Sequence, residues 1–442
     1  MSLRQDRVAL LDRYLRIATV SHQVTAAMVQ QVQEFWHDQG LALVPLLPED
    51  GSGTPALFAE IAGASNSPSL LLYGHYDVQP TGDPALWCWE GQNCAPFEPA
   101  YFHRGQPVDP KSLHDAELGE VLVVGRGGAD NKGQHLANIL GVLDAARSGR
   151  LKWTVKVFLD GEEEHGSPHL LPIAQRHRDM LKAKLLIGSD GPKQRNQPTL
   201  LMGVRGLLIV DIIAENGAPA SLHSGNYGNL LPNPFLPLAG LIADIDRRVR
   251  DYAGEHDSFR QEAVQAFAEW ENGATWKPFL WPTVNVNHLQ SDGASPDLTR
   301  TIIPRSIHAR LDIRLTPDTP PAAVRALIEA IVSDHASRVQ GVSFNLRTGG
   351  DLPASYTSPA RPEFRWLLRL LAEDGEPVAL PILGGTLPNF VFTDELQMPA
   401  FWLPAANADN QQHDINEHYL LRHFFLQTSV YERIVSSRPG EN

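Results

Sequence analysis

Leu70-Leu71-Leu72-Tyr73-Gly74-His75-Tyr76-Asp77 is the stretch on which the fold turns. Its apolar run is continuous rather than alternating, the pattern of a strand covered by helices on both faces. It ends in a glycine and then in His75 and Asp77, two side chains able to serve a metal. Three further runs repeat the design. Val121 to Val124 leads through Gly125 to Asp130, Val155 to Leu159 leads to Glu162, Glu163 and Glu164, and Leu185 to Ile187 leads through Gly188 to Asp190. Helix-like stretches such as Leu136 to Ala146 lie between them, which predicts an α/β fold with a mostly parallel sheet sandwiched by helices. In an open sheet of that kind the carboxyl ends of the strands line one edge, so residues far apart in sequence converge where ligands bind.

Outward from this core, Val8, Leu11 and Leu15 recur at helical spacing and predict an opening amphipathic helix. The stretch from Trp87 to Glu120 has no clear period and reads as a long surface excursion. Near Arg205 the pattern changes. Two helices with matching apolar spacing, Leu238, Leu241, Ile242, Ile245 and Val324, Leu327, Ile328, Ile331, alternate with strands such as 306–315. In that strand Ala309, Leu311 and Ile313 face one way and His308, Arg310, Asp312 and Arg314 the other, as in a sheet with helices on a single side. The expected organisation is a catalytic domain over 1–205 and 351–442, interrupted by a smaller αβ domain over 206–350.

Composition narrows the function. The chain has 442 residues, 43% hydrophobic and 20% charged, with a formal charge of −14. That is globular, not disordered, and its acidic balance argues against nucleic acid or an anionic membrane as partner. Two cysteines, Cys88 and Cys94, cannot build a disulfide framework or a thiolate zinc site, so oxygen and nitrogen must supply any metal ligands. Charged residues at positions 4, 6, 7, 12 and 13 occupy the place of a secretory apolar segment, and the run Leu200 to Ala214 is broken by Arg205 and Asp211. A cytoplasmic protein is the expectation.

So many carboxylates at one sheet edge raise one another's pKa unless a cation is present. One imidazole, several acids and no thiolate suit zinc, manganese or cobalt. A pair of ions ~3.5–4 Å apart needs about five ligands with one carboxylate shared. The strands leave one ligand missing, and His413, after the apolar 399–403 run, is the candidate. Blander readings exist for each residue taken singly. A lone histidine at a strand end is more often a satisfied polar group, and the run Glu162 to Glu164 could be a helix start. Five coordinated positions outweigh them. Neither a complete phosphate-binding glycine loop nor a Gly-x-Ser-x-Gly elbow is present.

Four segments in order, Tyr73 to Pro80, Gly125 to Gly133, Asp160 to Ser167 and His413 to Glu417, resemble the co-catalytic di-zinc exopeptidase family of carnosinase, glutamate carboxypeptidase, aminoacylase and acetylornithine deacetylase. Gly74-His75-Tyr76-Asp77-Val78-Gln79-Pro80 is most similar to its carnosinase-like dipeptidase branch. The resemblance implies that His75 and Asp190 hold one zinc, Glu164 and His413 the other, and that Asp130 bridges them. It also implies Glu163 as general base, Asp77 as the carboxylate that orients His75, and a cis peptide between Asp130 and Asn131. The inserted domain resembles the family's lid, which joins two subunits into a homodimer. Ser221-Leu222-His223-Ser224-Gly225 resembles a motif whose histidine stabilises the oxyanion, although Ser221 replaces the usual aspartate. Arg314, with Gly384, Gly385 and Thr386, resembles the group that grips the substrate carboxylate. The implied activity is hydrolysis of an amide in a small peptide with a free carboxylate. An N-acyl-amino-acid amidohydrolase is the alternative, and an inactive metal-binding scaffold the reading from another class.

Overall fold

The computed structural model describes residues 2–270, 276–292 and 300–441, which form two compact units. The first comprises 1–203, 357–380 and 391–442, and the second 204–356 with 381–390. The sequence pattern changes close by, at 205/206 and 350/351, but gives no sign that 381–390, with Gly384 to Thr386, groups with the second unit.

An eight-stranded sheet forms the spine of the first unit, in the order Val44–Leu46, Ala56–Ile61, Thr154–Asp160, Ser69–His75, Leu185–Gly188, Ala400–Trp402, Thr199–Leu201, Val378–Leu380. Its centre is parallel: Ser69–His75 pairs with Thr154–Asp160 on one side and Leu185–Gly188 on the other. Leu70, Leu71, Leu72 and Tyr73 are fully buried, which is why the run carries no polar alternation. Each such aliphatic side chain contributes about 1.5–3 kcal/mol on leaving water.

The Lys132–Arg147 helix lies against the Ser69–His75 strand and the C-terminal Leu421–Val435 helix. Two glycines permit these approaches. A Cβ at Gly74 would meet His135 Cβ at 2.6 Å, and one at Gly141 would meet the Thr428 carbonyl at 2.3 Å.

One strand departs from the sequence reading. Val121–Val124 is not part of the parallel sheet; it pairs antiparallel with His418–Leu420 and Ala100–His103 in a separate four-stranded sheet. A four-residue apolar run cannot distinguish the two settings, because either buries both faces. The excursion likewise contains paired strands, Cys88–Trp89 with Gln92–Asn93 and Ala100–His103 with Gln106–Pro107, around a small cluster of Trp87, Phe102 and Val124.

The second unit is an antiparallel sheet in the order Thr283–Ser291, Ser306–Leu315, Gly206–Glu215, Ser343–Leu352. The helices Phe235–Glu255 and Pro321–Arg338 pack their apolar stripes on its face bearing Leu208, Val210, Ile212, Ala309, Leu311 and Ile313.

Candidate metal centre

The strand ends deliver their side chains to one place in the first unit. His75 closes the Ser69–His75 strand, and its Nε2 lies 3.0 Å from Asp130 Oδ1 and 3.7 Å from Asp190 Oδ2. The other Asp130 oxygen, Oδ2, lies 3.1 Å from His413 Nε2, which in turn is 3.5 Å from Glu164 Oε2. Two sets therefore form, His75 with Asp130 and Asp190, and Asp130 with Glu164 and His413, each with its donor atoms within 4.8 Å of one another. Asp130 belongs to both. The chemistry of these donors, two imidazoles and two carboxylates around one shared carboxylate, fits two divalent ions.

The surrounding groups fix these ligands. His75 Nδ1 is 3.0 Å from the main-chain carbonyl of Asp77 and 3.4 Å from its Oδ1, so the backbone oxygen is the nearer acceptor. The Asp77 carboxylate instead accepts the main-chain N–H groups of Glu163, at 3.2 Å, and Glu164, at 3.1 Å. Glu162 is engaged elsewhere, accepting from Thr54 N at 2.8 Å and standing 2.7 Å from His169 Nδ1. Glu163 belongs to neither donor set, yet its Oε2 is 3.8 Å from His75 Nε2. The Asp130–Asn131 peptide is cis, and His413 has left-handed backbone, φ 66°.

Electrostatics report the crowding. Burial, followed by repulsion from Asp130, pushes Glu164 up to about 10 and Asp190 up to about 7. Burial raises Glu163 well above the carboxylate range. Asp130 goes the other way: burial opposes its ionisation, but hydrogen bonds from His413 and His75 hold it below the ordinary value. Ionising all four acids together calls for added positive charge, which divalent ions provide.

Two supporting residues carry no role in the sequence reading. Glu417, fully buried, accepts from the main-chain N–H of Gly127, Ala129 and Asp130 and pairs with Arg126 at 2.8 Å. Gln79 donates to both oxygens of Glu164. Both stand inside the segments that carry the family resemblance, which is the signal that could have found them.

In the second unit, Arg314 Nη1 donates to Thr386 Oγ1 at 2.9 Å, while its Nε lies 3.1 Å from Asp312 Oδ1. The Gly385 carbonyl accepts from Arg205 N at 3.2 Å, and a Cβ at Gly384 would press on the Phe279 ring at 3.3 Å. His223 is exposed at the start of the Ser224–Tyr227 helix, its Nδ1 accepting from Gly225 N at 3.1 Å and its Nε2 3.3 Å from Thr301 Oγ1.

Paired donor sets around one shared carboxylate define a centre for two divalent ions of the kind metallohydrolases use. The model of peptidase family M20/M25/M40 matches residues 71–437, and the chain belongs to that family. Among relatives, it is 24% identical over 404 residues to the Beta-Ala-His dipeptidase of Rattus norvegicus, covering 82% of this chain and 75% of the rat protein. It is 21% identical over 433 residues to the probable di- and tripeptidase DUG2 of Saccharomyces cerevisiae, covering 91% of this chain but 46% of the yeast protein. The M20 family metallo-carboxypeptidase Sso-CP2 of Sulfolobus solfataricus superposes with a TM-score of 0.75 at 22% identity, over 99% of each chain. Among the described residues no helix is long and apolar enough to cross a membrane.

Proposed function

We propose that the chain hydrolyses the amide bond of dipeptides or similarly small peptides that carry a free carboxylate. The observation that carries this reading is the pair of donor sets joined at Asp130, with Glu163 beside them and bound into neither. His75, Asp130 and Asp190 would hold one ion and Asp130, Glu164 and His413 the other, zinc being the ion that suits mixed imidazole and carboxylate donors in a hydrolase. Bound divalent ions supply Lewis acidity to the scissile carbonyl and to the attacking water.

The remaining chemistry falls to the chain. Glu163 takes a proton from the water and returns it to the departing amine, the two halves of general acid–base catalysis. Asp77 holds the main chain of Glu163 and Glu164 in register, so the base and a ligand share one anchor. Arg314, with Thr386 and the glycines before it, binds the substrate carboxylate, and His223 donates a hydrogen bond to the oxyanion. We further infer a cytoplasmic homodimer joined through the second unit, a reading supported by the family resemblance and by two free cysteines.

The test is turnover by purified protein on a dipeptide panel and an N-acetyl-amino-acid panel, with and without added zinc or manganese. Metal-dependent cleavage of dipeptides is expected. Activity confined to the N-acetyl compounds would overturn the substrate class, and none on either panel would overturn the enzyme reading.

A further inference from the structure

Asp130 and Asp190 belong to one donor set but leave strands of different sheets. Val121–Val124, which precedes Asp130, lies in the four-stranded sheet, and Leu185–Gly188, which precedes Asp190, in the eight-stranded one. No strand ladder can set their spacing. Among the described residues no main-chain hydrogen bond joins 126–131 to 188–192 either.

Side-chain amides make the connection. Gln134, fully buried in the first turn of the Lys132–Arg147 helix, donates from Nε2 to the Ala129 carbonyl at 2.7 Å and to the Gly191 carbonyl at 3.2 Å. Its Oε1 accepts from Ala405 N at 2.7 Å. Ala129 immediately precedes Asp130 and Gly191 immediately follows Asp190. Both amide protons are thus spent on the carbonyls that flank the two carboxylates, and the oxygen ties the clamp to the strand-end loop beyond 400–402. Asn131 adds a second tie on the other flank, donating from Nδ2 to the Ser189 carbonyl at 2.6 Å.

We propose that Gln134 is a positioning residue for the ion held by His75, Asp130 and Asp190. It sets the separation of the two carboxylates by clamping their turns together, and it bonds to neither Glu164 nor His413. This rests on the two-ion reading above. Carbonyl groups at buried turns need partners. Without the Gln134 amide, Asn131 is the one remaining hydrogen-bonded tie between the Asp130 and Asp190 turns among the described residues, and the carboxylates are freer to separate under their mutual repulsion. Outer partners of metal ligands commonly carry ~10–100-fold in metal affinity, and that is the effect expected here.

The variant is Gln134→Met, close in volume but without donor or acceptor, and the probe is Co2+ titrated into metal-stripped protein in competition with a chelator. Wild type should bind two equivalents. His413→Ala should leave one tight equivalent, read from the His75 set alone, and adding Gln134→Met to it should weaken that equivalent ~10–100-fold. Gln134→Met by itself should weaken the equivalent held by the His75 set more than the other, because Gly191 flanks a ligand of that set alone whereas Asp130 is shared, and its kcat should recover as free metal is raised, which a general packing defect would not allow. Asn138→Leu, one turn along the same helix, is the control, since the buried Asn138 amide bonds neither turn. Should Gln134→Met fail to fold, Gln134→Glu, which keeps the shape and the acceptor for Ala405, takes its place in the same titrations. Unchanged affinity in the His413→Ala background, or equal weakening by Asn138→Leu, would overturn the role of Gln134. A wild type that binds no ion would instead overturn the metal reading on which it stands.

Discussion

Gln79 encloses the Glu164 carboxylate, its main-chain N–H donating to Oε1 at 3.0 Å and its amide to Oε2 at 2.8 Å. Among the described residues no hydrogen bond restrains the neighbouring Glu163 carboxylate in this way, and Glu163 is held through its main chain, its N–H donating to Asp77 and its carbonyl accepting from Gly166 N. A carboxylate held at both oxygens suits a ligand, and one held only by its backbone suits a group that must gain and lose a proton.

That contrast predicts opposite phenotypes for two isosteric changes. Glu163→Gln should keep both ions while kcat falls by ~10²–10⁴, the usual loss when a general base is removed. Glu164→Gln should lose affinity for the ion shared with His413. Gln79→Ala should weaken the same ion more mildly, by releasing the carboxylate. Metal stoichiometry measured beside kcat separates the cases, and the reverse pattern would move the base to Glu164.

The shared position of Asp130 makes a second expectation. Since its two oxygens face different imidazoles, at 3.0 and 3.1 Å, Asp130→Ala should abolish tight binding of both ions. His75→Ala should remove one. Elemental analysis after gel filtration reads the difference directly, and retention of one tight ion by Asp130→Ala would show that it bridges nothing.

A third expectation concerns pH. In the metal-free protein Asp190 and Glu164 are raised to about 7 and about 10, with burial the leading cause. Their folded values exceed the unfolded ones, so the folded state binds more protons than the unfolded chain. The stability this confers is complete below the unfolded carboxylate range, near pH 4, and is lost as pH rises through the folded values. Metal-free protein should therefore melt at falling temperature from pH 5 to pH 9. Metal-loaded protein should fall less, because ligated carboxylates no longer need protons. Calorimetry with and without chelator gives the gap, which must widen with pH; a constant gap would contradict the burial argument.

How much of this the sequence disclosed depends on where each residue sits. His75, Asp130, Glu164 and Asp190 follow apolar runs that end near glycine, a pattern that marks a strand end without any structure in hand. His413 follows a weaker run and was reachable by counting the ligands still needed. Sheet membership was out of reach for Val121–Val124, because burial erases the alternation that separates antiparallel from parallel strands. Gln134 was equally silent. A glutamine in the first turn of a helix reads as an exposed helix former, and only the folded chain brings Ala129, Gly191 and Ala405 within its reach.

The last expectation lies wholly within the second unit. Asp312 lies 3.1 Å from Arg314 Nε and accepts from Nη2 at 3.3 Å, while Nη1 donates to Thr386 at 2.9 Å. The guanidinium plane is thereby fixed on two sides, and a guanidinium has five donors, so further N–H groups remain for a carboxylate. Arg314→Ala should raise KM by roughly 10–100-fold, the equivalent of a charged hydrogen bond of about 1.5–3 kcal/mol, with a smaller change in kcat. Lysine should restore little, since a point charge on a flexible stem cannot match the planar fork or hold Asp312 and Thr386 together. Thr386→Val should cause part of the same defect by freeing one edge of the plane. Wild-type protein should already discriminate against substrates whose terminal carboxylate is amidated, and that preference should shrink in Arg314→Ala. Equal kcat/KM for amidated and free-acid dipeptides in the wild type would remove Arg314 from substrate recognition.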